Sequence, residues 1–225
     1  MLEGMVATIS ADIVRSTSLD TRDLIELRNE IRDFLERLEP DYPGFWSRIV
    51  RGDTIECVVP ESKYSLRIAL LLKLFVKMRV AQMECADLLL RHGIRFSIGI
   101  AELKYESRRE DIINGTAIYL SGRNLDEISR RGEAFSAIEM GAGSPSFNSF
   151  LDSYVAMATD LAGSCSAKQS EVVFYKLQGY KEREIAEFLG IIQSAVNIRS
   201  TNAQWSLLRA AVRDFENLNF ERLCG

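Results

Sequence analysis

The chain has 225 residues, 47% hydrophobic and 27% charged, which excludes wholesale disorder and leaves room for one large domain or two small ones. Its 28 lysines and arginines stand against 32 aspartates and glutamates, a net charge of −4. That excludes a coat for polyanions but not a local DNA-reading surface. The single histidine, His92, excludes a histidine-rich metal cage and argues against a serine–histidine triad.

Cys57, Cys85, Cys165 and Cys224 lie far apart with no CxxC spacing, the pattern of free thiols in a reducing compartment. The first residues lack the basic start of a signal peptide. The most apolar run, Ile68 to Val80, carries Lys73, Lys77 and Arg79 and is too short to span a bilayer. The expectation is a cytoplasmic protein with no membrane partner.

In chain order, Met5 to Ser10 reads as a buried strand whose end delivers Asp12. Asp20 and Thr21 cap a helix in which Leu24, Leu27, Ile31, Phe34, Leu35 and Leu38 recur at helical spacing up to Pro40. Phe45 to Val50 and Thr54 to Val59 form a hairpin across Arg51-Gly52-Asp53. Pro60-Glu61-Ser62 opens one long helix to about Arg91, ended by Gly93. Its Ile68–Val80 run is expected to lie buried against the sheet or to form a dimer interface. Ile94 to Glu102 is a strand, Gly115 to Arg130 a helix, and Ala134 to Met140 a strand. This order predicts an α+β domain, a mixed sheet with helices packed on it and a ferredoxin-like core. Phe45, Trp46, Phe96 and Phe135 are assigned to that core, so no base-stacking platform is expected.

The turn residues Gly141 to Pro145 mark a boundary between residues 1–141 and an all-α domain at 142–225. Helices are expected over Phe147–Leu161, Ser166–Gln178, Glu182–Leu189 and Gln193–Val212.

Asp12 at a strand end and Asp53 at a hairpin tip can reach one sheet edge. Two unpaired carboxylates there repel, and Mg²⁺ or Mn²⁺ would relieve the repulsion and hold nucleotide phosphates. The plainer alternative is that Asp12 caps the next turn and Asp53 is an ordinary hairpin residue.

Asp12-Ile13-Val14-Arg15-Ser16-Thr17 resembles the first metal motif of class III nucleotidyl cyclases, and Gly52-Asp53 resembles the second. Ile94 to Ile100 is similar to their later strand. Gly115, Ile118, Ser121, Gly122 and Arg123 follow the spacing of their glycine-to-arginine helix. The resemblance covers roughly residues 5–140 and implies a palm-like fold. It also implies metal ligation by Asp12 and Asp53 and phosphate binding by Ser16, Thr17 and Arg123. Ile49 and Ile112 occupy the base-selecting positions, and Tyr119 that of the catalytic asparagine. Apolar side chains there cannot hydrogen-bond a purine edge, which argues against ordinary cyclase activity. Arg123 has an alternative role, pairing with Asp126 or Glu127 on its own helix.

Residues 166–204 contain a short helix, a glycine turn at Gly190 and a second helix, a helix-turn-helix pattern. The stretch resembles sigma-factor region 4. That likeness implies a second helix in the major groove of double-stranded DNA, with Gln193, Ser194 and Asn197 near base edges and Arg199 and Ser200 on phosphates. The alternative is a helical bundle used for packing or dimerisation. From Asp160 onward, acids and bases balance with no basic stripe.

End to end, the order of motifs resembles the bacterial SatD family, with Gly52-Asp53, Arg95–Glu102 and Lys168-Gln169 through Ile191 as its carriers. Thr54 and Glu56 replace that family's glutamate and glutamine. The leading reading is a homodimeric transcription regulator that binds DNA and senses a nucleotide or phosphate ligand through its palm. The alternative is a divergent metal-dependent cyclase or phosphoryl-transfer enzyme.

Overall fold

The computed structural model describes residues 4–50, 52–133 and 136–224. Strand β1 (Val6–Ile13) leads through α1 (Thr21–Leu38) to the hairpin β2 (Trp46–Ile49) and β3 (Ile55–Val59). Then come α2 (Ser65–Val80), the short α3 (Asp87–His92) and β4 (Ile94–Ala101). The sheet runs β2-β3-β1-β4, all antiparallel, which is the ferredoxin-like order expected from the sequence. A second hairpin, β5 (Leu103–Ser107) and β6 (Ile112–Gly115), precedes α4 (Thr116–Arg130) and β7 (Ala137–Met140). β7 joins the sheet parallel to β4, so the sheet is mixed. Residues 134 and 135, placed in this last strand from sequence, lie outside the described residues, as does Arg51.

Alternation along the strands sorts the two faces. Ala7, Ile9, Ala11 and Ile13 of β1 and Ile94, Phe96, Ile98 and Ile100 of β4 point to α1 and α2 and enter the main core. Thr8 and Ser10 point the other way and share hydroxyl hydrogen bonds with Ser121 of α4, at 3.0 and 2.8 Å. Of the α1 side chains predicted to face inward, Leu27, Ile31, Phe34, Leu35 and Leu38 are buried and Leu24 is half-buried against the same core, with Asp20 accepting from the Asp23 amide at 2.7 Å as the cap.

α2 is buried on every side, between the sheet and the C-terminal helices α5 (Pro145–Ser164) and α6 (Ala167–Leu177). That assigns the Ile68–Val80 run to the interior rather than to a dimer interface. The expected single helix to Arg91 is instead broken at residues 81–86. Thirty helical residues would reach roughly 45 Å, against about 27 Å for an eight-residue strand, so the chain must double back to enter β4. No glycine or proline marks the break. Lys73 and Lys77 secure it by donating to backbone carbonyls: Lys73 to His92 and Ile94 at 2.6 and 2.7 Å, Lys77 to Leu90, Arg91 and Gly163. Burial lowers Lys73 to about 7 and Lys77 to about 8.

Beyond α6 lie α7 (Glu182–Leu189), α8 (Gln193–Asn202), α9 (Trp205–Glu216) and α10 (Phe220–Cys224). The expected helix from Gln193 to Val212 is two helices. The chain turns between them at Ala203, which is buried, and Gln204, which adopts a left-handed φ of 52°. Element type changes at Gly141–Pro145 as expected, yet the buried cluster of the palm continues into Leu151, Val155, Val173, Phe174, Leu208 and Phe215. The outer edge of β7 is occupied by α5. The Ile138 amide donates to Asp152 at 2.9 Å, the Met140 amide to Asn148 at 3.0 Å, and Asn148 donates back to the Met140 carbonyl. Cys57, Cys85 and Cys165 are free thiols. Among the described residues no helix is long and apolar enough to cross a membrane.

Candidate functional site

Ala11 lies opposite Ile55 in the β1–β3 register, so the end of β1 and the turn carrying Asp53 share one sheet edge. This is the juxtaposition the sequence suggested. Asp12, however, is not an unpaired carboxylate. It stands opposite Arg95 across β1 and β4, and Arg95 donates Nε and Nη2 to its two oxygens at 2.6 and 2.9 Å. Arg95 donates further to the Ser129 hydroxyl at 2.7 Å and the Glu133 carbonyl at 3.0 Å. The pair is largely sheltered, with side-chain exposures of 14% for Arg95 and 15% for Asp12. Burial raises the Asp12 carboxyl above its ordinary range, Arg95 opposes this, and the charges of Asp53 and Asp126 add to the rise.

A divalent cation at this edge needs free carboxylate oxygens. With both Asp12 oxygens held by a guanidinium, the residues as arranged do not fit Mg²⁺ or Mn²⁺. Among the described residues no cluster of three or more acids, cysteines or histidines offers another metal site.

Ser16 and Thr17 lie in a 3-10 turn directly after β1, entered through Arg15 at a left-handed φ of 55°. Arg123 is not gathered with them. It pairs with Glu139 of β7, not with Asp126 or Glu127, and stacks 5.6 Å over the Tyr119 ring, while Asn124 donates to the same Glu139 oxygen at 2.9 Å. Glu139 lies level with Gly99, four residues or about 13 Å along β4 from Arg95. Ile49 packs against the main core and Ile112 is 41% exposed on β6, while their neighbours Arg48 and Asp111 are joined, Arg48 donating to the Asp111 carbonyl. Tyr119 is 63% exposed.

The second candidate site is built by α6, α7 and α8. Val172, Ile185, Ala186 and Val196 form a small core of their own, flanked by Tyr175, Leu189 and Ile191. Gly190 ends α7 at φ 63° and ψ 33°, a left-handed geometry that glycine adopts without penalty. Gln193, Ser194 and Asn197 are exposed on the first turns of α8. Gln193 and Asn197 also help Lys176 hold the Glu182 carboxyl below its ordinary range. Arg199 donates to Glu171 of α6 at 3.3 Å, and Ser200 is only 5% exposed, so these two face α6 and the interior rather than open surface.

Sequence reasoning missed Arg95 as a site residue, although it stood inside the quoted strand motif. The signal was a lone arginine at a strand position otherwise filled by small or apolar side chains. It also missed the aromatic cluster Tyr175, Tyr180 and Phe188, whose rings lie 5.2 to 5.8 Å apart on the outside of α7.

No family model and no curated protein matches this chain. Among solved structures, two bacterial light-regulated adenylyl cyclases are similar to it. One is 18% identical over 57% of this chain and 71% of its own, with a TM-score of 0.41. The other is 18% identical over 60% of this chain and 43% of its own, with a TM-score of 0.42. These likenesses are weak and concern the fold alone. The class itself rests on the sheet order: an α+β protein with a ferredoxin-like palm.

Proposed function

We propose that this chain is a DNA-binding regulator whose C-terminal helices read duplex DNA and whose palm is not a catalytic centre. The carrying observation is the α7–Gly190–α8 turn, which leaves Gln193, Ser194 and Asn197 open at the start of α8. Glutamine and asparagine can each bond an adenine edge bidentately, and an exposed helix start fits the major groove. The Asp12–Arg95 pair supports the second half of the reading. A phosphate-sensing role for Ser16, Thr17 and Arg123 gains no such support, because Glu139 holds Arg123.

Selection from a random duplex library, followed by fluorescence anisotropy, tests this. A consensus sequence is expected, bound with a shallow salt dependence because few bases face the duplex. Gln193→Ala and Asn197→Ala should each weaken the consensus about 5- to 100-fold at one base position, with little change on random DNA. No selected sequence, or unchanged binding in both variants, overturns the proposal.

The convergence of Asp12 and Asp53 at one edge favours a second reading, metal-dependent phosphoryl chemistry. It requires Arg95 to release Asp12. Product analysis with ATP and GTP in Mn²⁺ decides it: turnover lost in Asp53→Asn would displace the non-catalytic palm.

A further inference from the structure

Helix α5 spans 20 residues, yet its only charged side chains are Asp152 and Asp160. Phe147, Phe150, Tyr154, Met157 and Leu161 recur along it at alternating steps of three and four, the spacing of a coiled-coil seam. The rings of Phe147 and Phe150 lie 6.3 Å apart and those of Phe150 and Tyr154 6.2 Å apart. Phe150 is 62% and Met157 65% exposed, while Leu151, Val155, Ala158 and Ala162 on the other side fill the core. Phe147, Tyr154 and Leu161 are half-buried where the seam borders the core, so its outward part is Phe150 and Met157, with the edges of the other three beside them. Along one flank of that seam stand the exposed serines 146, 149, 153 and 164. Along the other flank Tyr154 donates its hydroxyl to the Ala211 carbonyl of α9 at 2.8 Å.

We propose that a second copy of this chain occupies this seam, α5 packed antiparallel on α5 across a two-fold axis at Tyr154. In that arrangement residues equally distant from Tyr154 on either side lie level. Phe147 meets Leu161 of the other copy, and Phe150 falls within one residue's rise of Met157. The aromatic end of each helix therefore faces the flexible aliphatic end of its mate. Charge agrees: Asp160 lies level with Asn148 and Asp152 with Ala156, so no acid opposes an acid. The serine flank lets the two backbones approach to the 8–10 Å of packed helices. A lipid surface is the wrong occupant, because interfacial helices carry lysine and arginine beside their apolar face and α5 has neither.

The seam, from Phe147 to Leu161, is about 21 Å long. With its α9 flank it buries on the order of 1,000 Å², the small end of specific interfaces. The expected product is a dimer with a dissociation constant near the micromolar range. Two copies would also present two α8 helices to two half-sites, but the dimer does not rest on the DNA reading. Its test uses no DNA, so either proposal can fail alone.

Sedimentation velocity on the full chain should show monomer below 1 μM and dimer near 100 μM. Phe150→Glu and Met157→Glu should each raise the dissociation constant at least tenfold. Both side chains are exposed, so melting of the variant monomers should match wild type. Under mild oxidation Ser153→Cys, close to the axis, should cross-link beyond the wild-type background, and Ser164→Cys, far from it, should not. A monomer at every concentration overturns the proposal, as does a dimer unchanged by both glutamates. Equal cross-linking at both serine positions overturns the antiparallel arrangement.

Discussion

At the scale of single residues, the Asp12–Arg95 pair occupies both carboxylate oxygens at the sheet edge that Asp53 shares. Arg95→Ala strands a sheltered carboxylate and should cost about 3 kcal/mol of stability near neutral pH. Without its guanidinium, Asp12 takes up a proton more readily in the folded than in the unfolded chain. The deficit should therefore narrow as pH falls towards 5, which denaturant titrations at pH 5 and 8 would show. Lys73 works in the opposite sense. Folding lowers it to about 7, so between that pH and its ordinary value near 10.5 the unfolded chain binds the extra proton and stability rises with pH. Lys73→Met should melt further below wild type at pH 9.5 than at pH 6.5; a constant gap would count against this account. Asp12 and Asp53 were legible in the sequence because strand ends and hairpin tips are local features. Arg95, Lys73 and Lys77 were not legible as partners. A cross-strand neighbour depends on register, and a lysine that caps another element's carbonyls looks, in sequence, like any helix lysine.

At the scale of elements, the strand and hairpin pattern of the palm was readable from alternation and turn residues, while three features were hidden. The breaks after α2 and α8 fall where no glycine or proline stands, because the limit is imposed by the length of the sheet and by the buried Ala203. The β5–β6 hairpin was missed because its side chains are largely polar or exposed and are held by long-range bonds, Trp46 to Glu106 at 2.7 Å and Arg108 to Glu39. Two glycines fix how elements meet. A Cβ on Gly99 would stand 2.1 Å from the Ala117 carbonyl, so Gly99→Ala must push α4 off β4 and should cost about 2 kcal/mol or more. Gly190→Ala meets open space, and its cost comes from φ alone, about 1 kcal/mol. Gly122→Ala, in a helix interior with nothing within 4 Å, should be neutral or stabilising. Chemical denaturation of the three variants would rank them in that order.

At the scale of the whole molecule, a buried helix joins the two halves that the composition shift separates. α2 contributes side chains both to the sheet face and to the layer of α5 and α6, so melting either layer exposes the other. Calorimetry should show one transition with equal calorimetric and van 't Hoff enthalpies; two resolved transitions would mean that the layers part independently. Sequence left the Ile68–Val80 run open between the interior and a dimer interface, because a helix apolar on most sides carries no directional stripe.

The bonds between α5 and β7 govern what the sheet could become. A strand at an open border is a template, offering every second amide to any extended chain that drifts past. Here the side chains of Asp152 and Asn148 imitate that missing strand and leave the template written over. Removing both by alanine substitution would leave the Ile138 and Met140 amides without acceptors beneath α5, so the bulk of the helix alone would guard the border; the double variant should melt below wild type and gain strand-mediated association only under conditions that lift α5.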